Sequence, residues 1–177
     1  EQTQQYYLHM FSTKQPDLNW ENPEVRDAVY SMMNYWLDKG IDGFRIDAIS
    51  HIKKRPEFPD MPNPENKKYV SSFDMHMNQE GIHEFLSEMQ EKTYGKYDVM
   101  TVGEANGVSV DEAHLWVGEE EGKMNMVFQF EHLDLWDTDP AKGLDILGLK
   151  KVLTRWQKGL ENDGWNALFI ENHDKPR

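Results

Sequence analysis

Three short apolar runs in this sequence each lead into a carboxylate. Gly43-Phe44-Arg45-Ile46-Asp47 ends in Asp47, Val102-Gly103-Glu104 ends in Glu104, and Phe169-Ile170-Glu171-Asn172-His173-Asp174 ends in Asp174. Charges on nearly continuous apolar strands are costly unless they are paired or used. In a parallel barrel the strand C-termini all point to one face, so the three carboxylates converge there although they are far apart in the chain. Such a group suits glycoside hydrolysis: one carboxylate attacks the anomeric carbon, one protonates the leaving oxygen, and a third steadies the oxocarbenium-like transition state. Retaining enzymes hold the first two ~5–5.5 Å apart, with the acid's pKa raised by its surroundings. Arg45 lies two residues before Asp47 and so shares its strand face. The simpler alternative is that these carboxylates cap helices or pair with Arg45. Three of them at three strand ends favour the chemical reading.

Other residue types carry less. His76 and His83 lie seven apart on a helix-like stretch, but without HExxH spacing or a third ligand an exposed or capping role is expected rather than a metal site. Gly103 and Gly107 flank Glu104 without a nucleotide-binding pattern. Glu119-Glu120-Glu121 reads as a solvated loop. The ten Met residues fit packing rather than a cofactor. Trp20, Trp116, Trp136 and Phe130 could stack on sugar rings, although aromatic side chains are core by default.

The elements needed to position the carboxylates are legible as strand-like runs alternating with helix-like runs, the pattern of βα units. Asn22-Pro23 reads as a helix cap followed by proline at the first helical position. Val25, Ala28, Val29, Met32, Met33, Trp36 and Leu37 then share a helical face, and Lys39-Gly40 reads as the stop. Strands are expected over Gly43 to Ile49, Val99 to Val102, Met126 to Phe130 and Asn166 to Ile170. Two further helices are marked by Ile82, Phe85, Leu86 and Met89, and by Leu149, Val152, Leu153, Trp156 and Leu160. A long loop after the first strand holds Pro56, Pro59, Pro62 and Pro64. Four strands and three helices make about half of a (β/α)₈ barrel, a fold of about 250 residues.

The 177 residues suffice for a real core, and six Trp, eight Phe and seven Tyr exclude a disordered chain. A net charge of −13 argues against binding a nucleic-acid backbone. No apolar run of about 18 residues exists to span a membrane. With no cysteine, thiolate catalysis, thiolate metal sites and disulfides are excluded. The polar start at Glu1, without Met, suggests an excised segment.

At these motifs the sequence resembles the α-amylase family of glycoside hydrolases, closest to its oligo-1,6-glucosidase and α-glucosidase group. QPDLNW (Gln15 to Trp20) looks like the marker of that branch. GFRIDAI (Gly43 to Ile49) is similar to the family's nucleophile motif, TVGEANG (Thr101 to Gly107) to its acid/base motif, and ENHDKPR (Glu171 to Arg177) to its third-carboxylate motif. The resemblance implies Asp47 as nucleophile, Glu104 as general acid/base and Asp174 as transition-state stabiliser. Arg45 would orient Asp47, and His173 would hydrogen-bond a sugar hydroxyl. Ala48 matches relatives that favour α-1,4 links, while Lys175 stands where many have Gln.

It implies further that residues 1–177 are the part of a catalytic (β/α)₈ barrel from about the fourth strand to the seventh. Earlier strands and a C-terminal β domain would lie outside this segment. The expected substrate is a short α-gluco-oligosaccharide, hydrolysed without a cofactor. The Ca²⁺ site of many relatives lies mainly outside the segment. Transglucosylating or isomerising relatives (trehalose synthase, sucrose isomerase, trehalose-6-phosphate hydrolase) and a non-catalytic relative that uses the fold for protein interaction are the alternatives. The chain alone is expected to be inactive and to self-associate through uncovered sheet edges. A cytoplasmic location is expected, from the absent cysteines and the resemblance.

Overall fold

A computed structural model describes residues 4–135 and 143–174. Lys175 and Trp136 fall outside them. Four parallel strands, β1 (Gly43–Ile46), β2 (Met100–Glu104), β3 (Met126–Phe128) and β4 (Trp165–Asn166), form one sheet in sequence order. Helix α1 (Pro23–Asp38) precedes β1, and α2 (Ile82–Lys92), α3 (Ala113–Val117) and α4 (Ile146–Leu160) occupy the three intervals between the strands. This is the α/β pattern of consecutive barrel strands expected from the alternating runs.

The α1 cap forms as read: the Asn22 side chain accepts from the Glu24 amide at 3.0 Å, with Pro23 at the first helical position. Its buried face is Tyr30, Met33 and Leu37. Met32 and Trp36 were expected on that face, but they lie about half exposed. The apolar positions of α1 cover more of its circumference than the sheet does, and the row centred on Tyr30 faces α2. There Arg26 and Tyr30 both reach Glu88, at 2.6 and 3.3 Å.

Three of the strands, β1, β3 and β4, are shorter than their apolar runs, whereas β2 runs two residues further than expected, to Glu104. At β1 the chain leaves the sheet at Asp47, because Ala48 is left-handed (φ 45°, ψ 33°) and opens a 3₁₀ turn over Ile49–His51. On the far side β4 pairs for two residues only, Met126 with Trp165 and Val127 with Asn166, so the strand expected to Ile170 stops early. The short α3, around fully buried Ala113 and Trp116, carries too few residues for a periodic signal.

The main core lies between the sheet and the helices, with Leu86, Met89, Val127, Trp116 and Trp156 almost wholly buried. A second packed layer closes the C-terminal end of β1. There His51 Nδ1 donates to the His76 carbonyl (2.9 Å), and the ring packs against Phe11 and Phe73. The Lys54 ammonium joins this layer to the QPDLNW segment, pairing with Asp17 at 2.8 Å and donating to the His51 carbonyl. No described helix is long and apolar enough to cross a membrane.

Candidate active site

The parallel register sets the site. Arg45 pairs with Val102 and Ile46 with Gly103, so the next step brings Asp47 beside Glu104. Side chains two apart share a face, which gives Arg45, Asp47, Val102 and Glu104 one common surface. Gly43 makes the register possible. Its φ is 144°, and a Cβ there would overlap the Met100 carbonyl oxygen.

One guanidinium holds both carboxyls. Arg45 donates from one terminal nitrogen to Asp47 Oδ1 and from the other to Glu104 Oε1. Glu104 Oε2 also accepts from the Ala48 amide at 3.2 Å. The two acids sit in contrasting surroundings: the Asp47 side chain is 74% exposed and that of Glu104 only 11%. The Arg45 hydrogen bond, followed by one with Glu104, pulls the Asp47 pKa below the carboxylate range. Burial, followed by the hydrogen bond to Asp47, pushes that of Glu104 up. The pair is thus split into an ionised partner and a proton-holding partner, the division of labour that acid-assisted nucleophilic displacement needs.

A cavity of about 530 Å³ opens beside Glu104 and is lined by Ala48, His51, Asn106, Phe130 and Asp174 among others. A second, of about 310 Å³, lies across Glu104 and is bounded by Arg45, Phe169, Asn172 and His173. Glu104, Phe130 and Asn172 belong to both. Of the residues expected from the sequence, Arg45, Asp47 and Glu104 meet directly, and Ala48 contributes its amide. Asp174 reaches the rim of the larger cavity, largely exposed, with its amide bonded to Asn172 Oδ1 at 3.0 Å. His173 lies on the smaller cavity, 3.6 Å from Asp174, and its field helps to lower the Asp47 pKa.

Some expectations need correction. His76 is 3% exposed, in the packed layer against His51, and not at the surface. His83 is half-buried against Trp116, in a different element from His76. Trp116 is fully buried, and Trp20 packs on Tyr30 and Phe85, so neither presents a ring to a sugar. Phe130 alone of the described candidates lines the cavities. Among the described residues no group of three or more His, Asp or Glu side chains is arranged to hold a metal ion. Phe11, Phe73 and Asn106 line the larger cavity, and periodicity offered no sign of them because Phe11 and Asn106 lie in loops and Phe73 opens a 3₁₀ turn of only four residues.

Residues 1–177 match the family described as alpha amylase, catalytic domain. A probable oligo-1,6-glucosidase of Bacillus subtilis (strain 168) is 60% identical over 177 residues, covering 100% of this chain and 32% of that protein. An oligo-1,6-glucosidase of Parageobacillus thermoglucosidasius is 53% identical over 182 residues, covering 100% and 32%. Among solved structures, Bacillus licheniformis trehalose-6-phosphate hydrolase superposes with a TM-score of 0.82 at 41% identity, over 97% of this chain and 31% of that one. An isomaltulose synthase from Protaminobacter rubrum gives 0.81 at 32% identity, over 97% and 31%. The chain thus spans about a third of the length of the relatives it matches.

Proposed function

Because this chain belongs to the α-amylase catalytic-domain family, we propose that it is the central part of a (β/α)₈ barrel whose full-length protein is a retaining α-glucosidase. Its substrates are short α-gluco-oligosaccharides, cleaved at the non-reducing end. The observation that carries this reading is the single guanidinium of Arg45 on two carboxyls whose proton affinities are pulled apart.

In this scheme an Asp47 carboxylate oxygen attacks the anomeric carbon while Glu104 gives its proton to the glycosidic oxygen. The C–O bond breaks, the alcohol leaves, and the glucosyl group is esterified to Asp47. Glu104, now ionised, takes a proton from water as the water oxygen attacks the same carbon, the bond to Asp47 breaks to return its carboxylate, and glucose leaves with its configuration retained. Asp174 stabilises the positive charge that develops in the transition state of each step, and His173 holds a hydroxyl. No cofactor enters the scheme, and the reaction is assigned to the cytoplasm. The isolated segment is inactive in this reading, because Asp47 is open to solvent on the face that further barrel strands would cover.

A second reading has the same residues transferring or isomerising the glucosyl group, and the likeness to an isomaltulose synthase favours it. The test is release of nitrophenol from 4-nitrophenyl α-glucoside by the full-length protein, beside Asp47→Asn and Glu104→Gln. Activity lost in both variants supports the assignment, and activity retained in Asp47→Asn refutes it. Product analysis on maltose, isomaltose and sucrose then separates hydrolysis from isomerisation.

A further inference from the structure

Asn78 lies outside every motif above, yet it joins the two segments that carry the acids. Its amide donates to the Ser50 carbonyl at 2.8 Å, three residues beyond Asp47. Its carboxamide nitrogen has two hydrogens, and it meets two acceptors: the Gly107 carbonyl at 3.3 Å, three residues beyond Glu104, and Glu112 Oε2 at 2.9 Å. Asn78 adopts a left-handed backbone (φ 47°), which asparagine tolerates better than most residues and which turns its side chain across the gap. The neighbouring Met77 packs where a Cβ of Gly107 would stand, its side-chain atoms 2.6–2.8 Å from that point, so the two loops are interlocked as well as bonded.

On the strand side the same two segments are linked by Arg45 and by the Ala48 amide on Glu104. The Asp47–Glu104 pair is therefore held from both ends. Ser50 anchors the outer link, since it is completely buried.

We propose that Asn78 is a positioning residue, which sets the separation of Asp47 and Glu104 by tying the segment after one to the segment after the other. It touches no reacting atom. The proposal rests on the glucosidase reading for its consequence in catalysis, but not for the geometry. A misplacement of about 1 Å costs on the order of a hundredfold in such reactions.

The experiment uses the full-length protein with Asn78→Gly, Asn78→Asp, and Asn78→Asp combined with Glu112→Gln. Asn78→Gly keeps the left-handed backbone and the charge while removing the link. It is expected to lower kcat about tenfold or more with KM changed little. Asn78→Asp places a second carboxylate against Glu112 and is expected to do at least as much harm. In the double variant the carboxamide now at position 112 donates to the carboxylate now at position 78 at unchanged net charge, but that carboxylate has no hydrogen for the Gly107 carbonyl, so part of the activity is expected to return. All variants keeping kcat within about twofold of the parent would overturn the proposal. So would losses that follow the thermal midpoint and are not recovered in the double variant.

A ¹³C titration of the Glu104 carboxyl reads the geometry without turnover. In Asn78→Gly its midpoint should fall toward the ordinary glutamate value as the pair spreads, and an unmoved midpoint overturns the proposal. If the parent protein is silent on the glucoside while that midpoint moves, the glucosidase reading fails and the positioning role stands.

Discussion

At the residue scale, Arg45 acts on both acids in the same direction. It lowers the pKa of Asp47 by a hydrogen bond and lowers that of Glu104 by its charge, although burial and Asp47 outweigh it at Glu104. In Arg45→Met both carboxyls should hold protons more tightly. Asp47 must be ionised to attack, so the acid limb of the kcat/KM profile of the full-length protein moves to higher pH. Glu104 must be protonated to assist departure, so the alkaline limb moves upward too. The peak should fall by about a hundredfold, the scale of losing one preorganised charge partner. A profile that keeps its limbs while losing height would assign Arg45 to substrate contact instead.

At the element scale, the site depends on a register fixed by backbone contacts at the strand starts. Gly43 lies against the Met100 carbonyl, and Thr101 exchanges hydrogen bonds with Asn125, its amide donating to Asn125 Oδ1 at 2.7 Å and its hydroxyl accepting from the Asn125 amide at 3.2 Å. Gly43→Ala should cost several kcal/mol (about 2–4), because the Cβ meets backbone that cannot move without parting β1 from β2. Chemical denaturation of the variant against the parent measures this, and an unchanged midpoint would show that the strands tolerate a shift. The elements were largely legible because apolar runs, the Asn22 cap and Pro23 are local signals. Their ends were not: β1 ends just before a left-handed Ala48, and β4 stops one position short of the end of β3, whose Phe128 pairs with Glu104 of β2. The same division holds in the site. Asp47, Glu104 and Arg45 could be read from strand ends, whereas Asn78, Phe11 and Phe73 gain their places only through the tertiary packing of loops and a single 3₁₀ turn.

At the scale of the whole molecule, His51, His76, His83 and His132 are kept neutral chiefly by burial, each with its pKa lowered from 6.5. Above that value folded and unfolded chains are both neutral at these sites, and no stability depends on them. As pH falls through 6.5 the unfolded chain binds protons that the folded chain refuses. Stability is therefore lost from there down to the lower folded-state values. The thermal midpoint should fall between about pH 7.5 and about pH 5.5, with a shallower fall in His51→Gln; equal slopes would clear His51 of the effect. The strand order has a different consequence. Each strand pairs with the one made just before it, so the sheet can grow in the direction of synthesis without waiting for distant partners. Asp47 directly follows the first strand of this sheet and Glu104 ends the second. A ribosome that has released Glu104 and the loop behind it has already delivered every atom of the Arg45-bridged pair, while α4 and β4 are still untranslated.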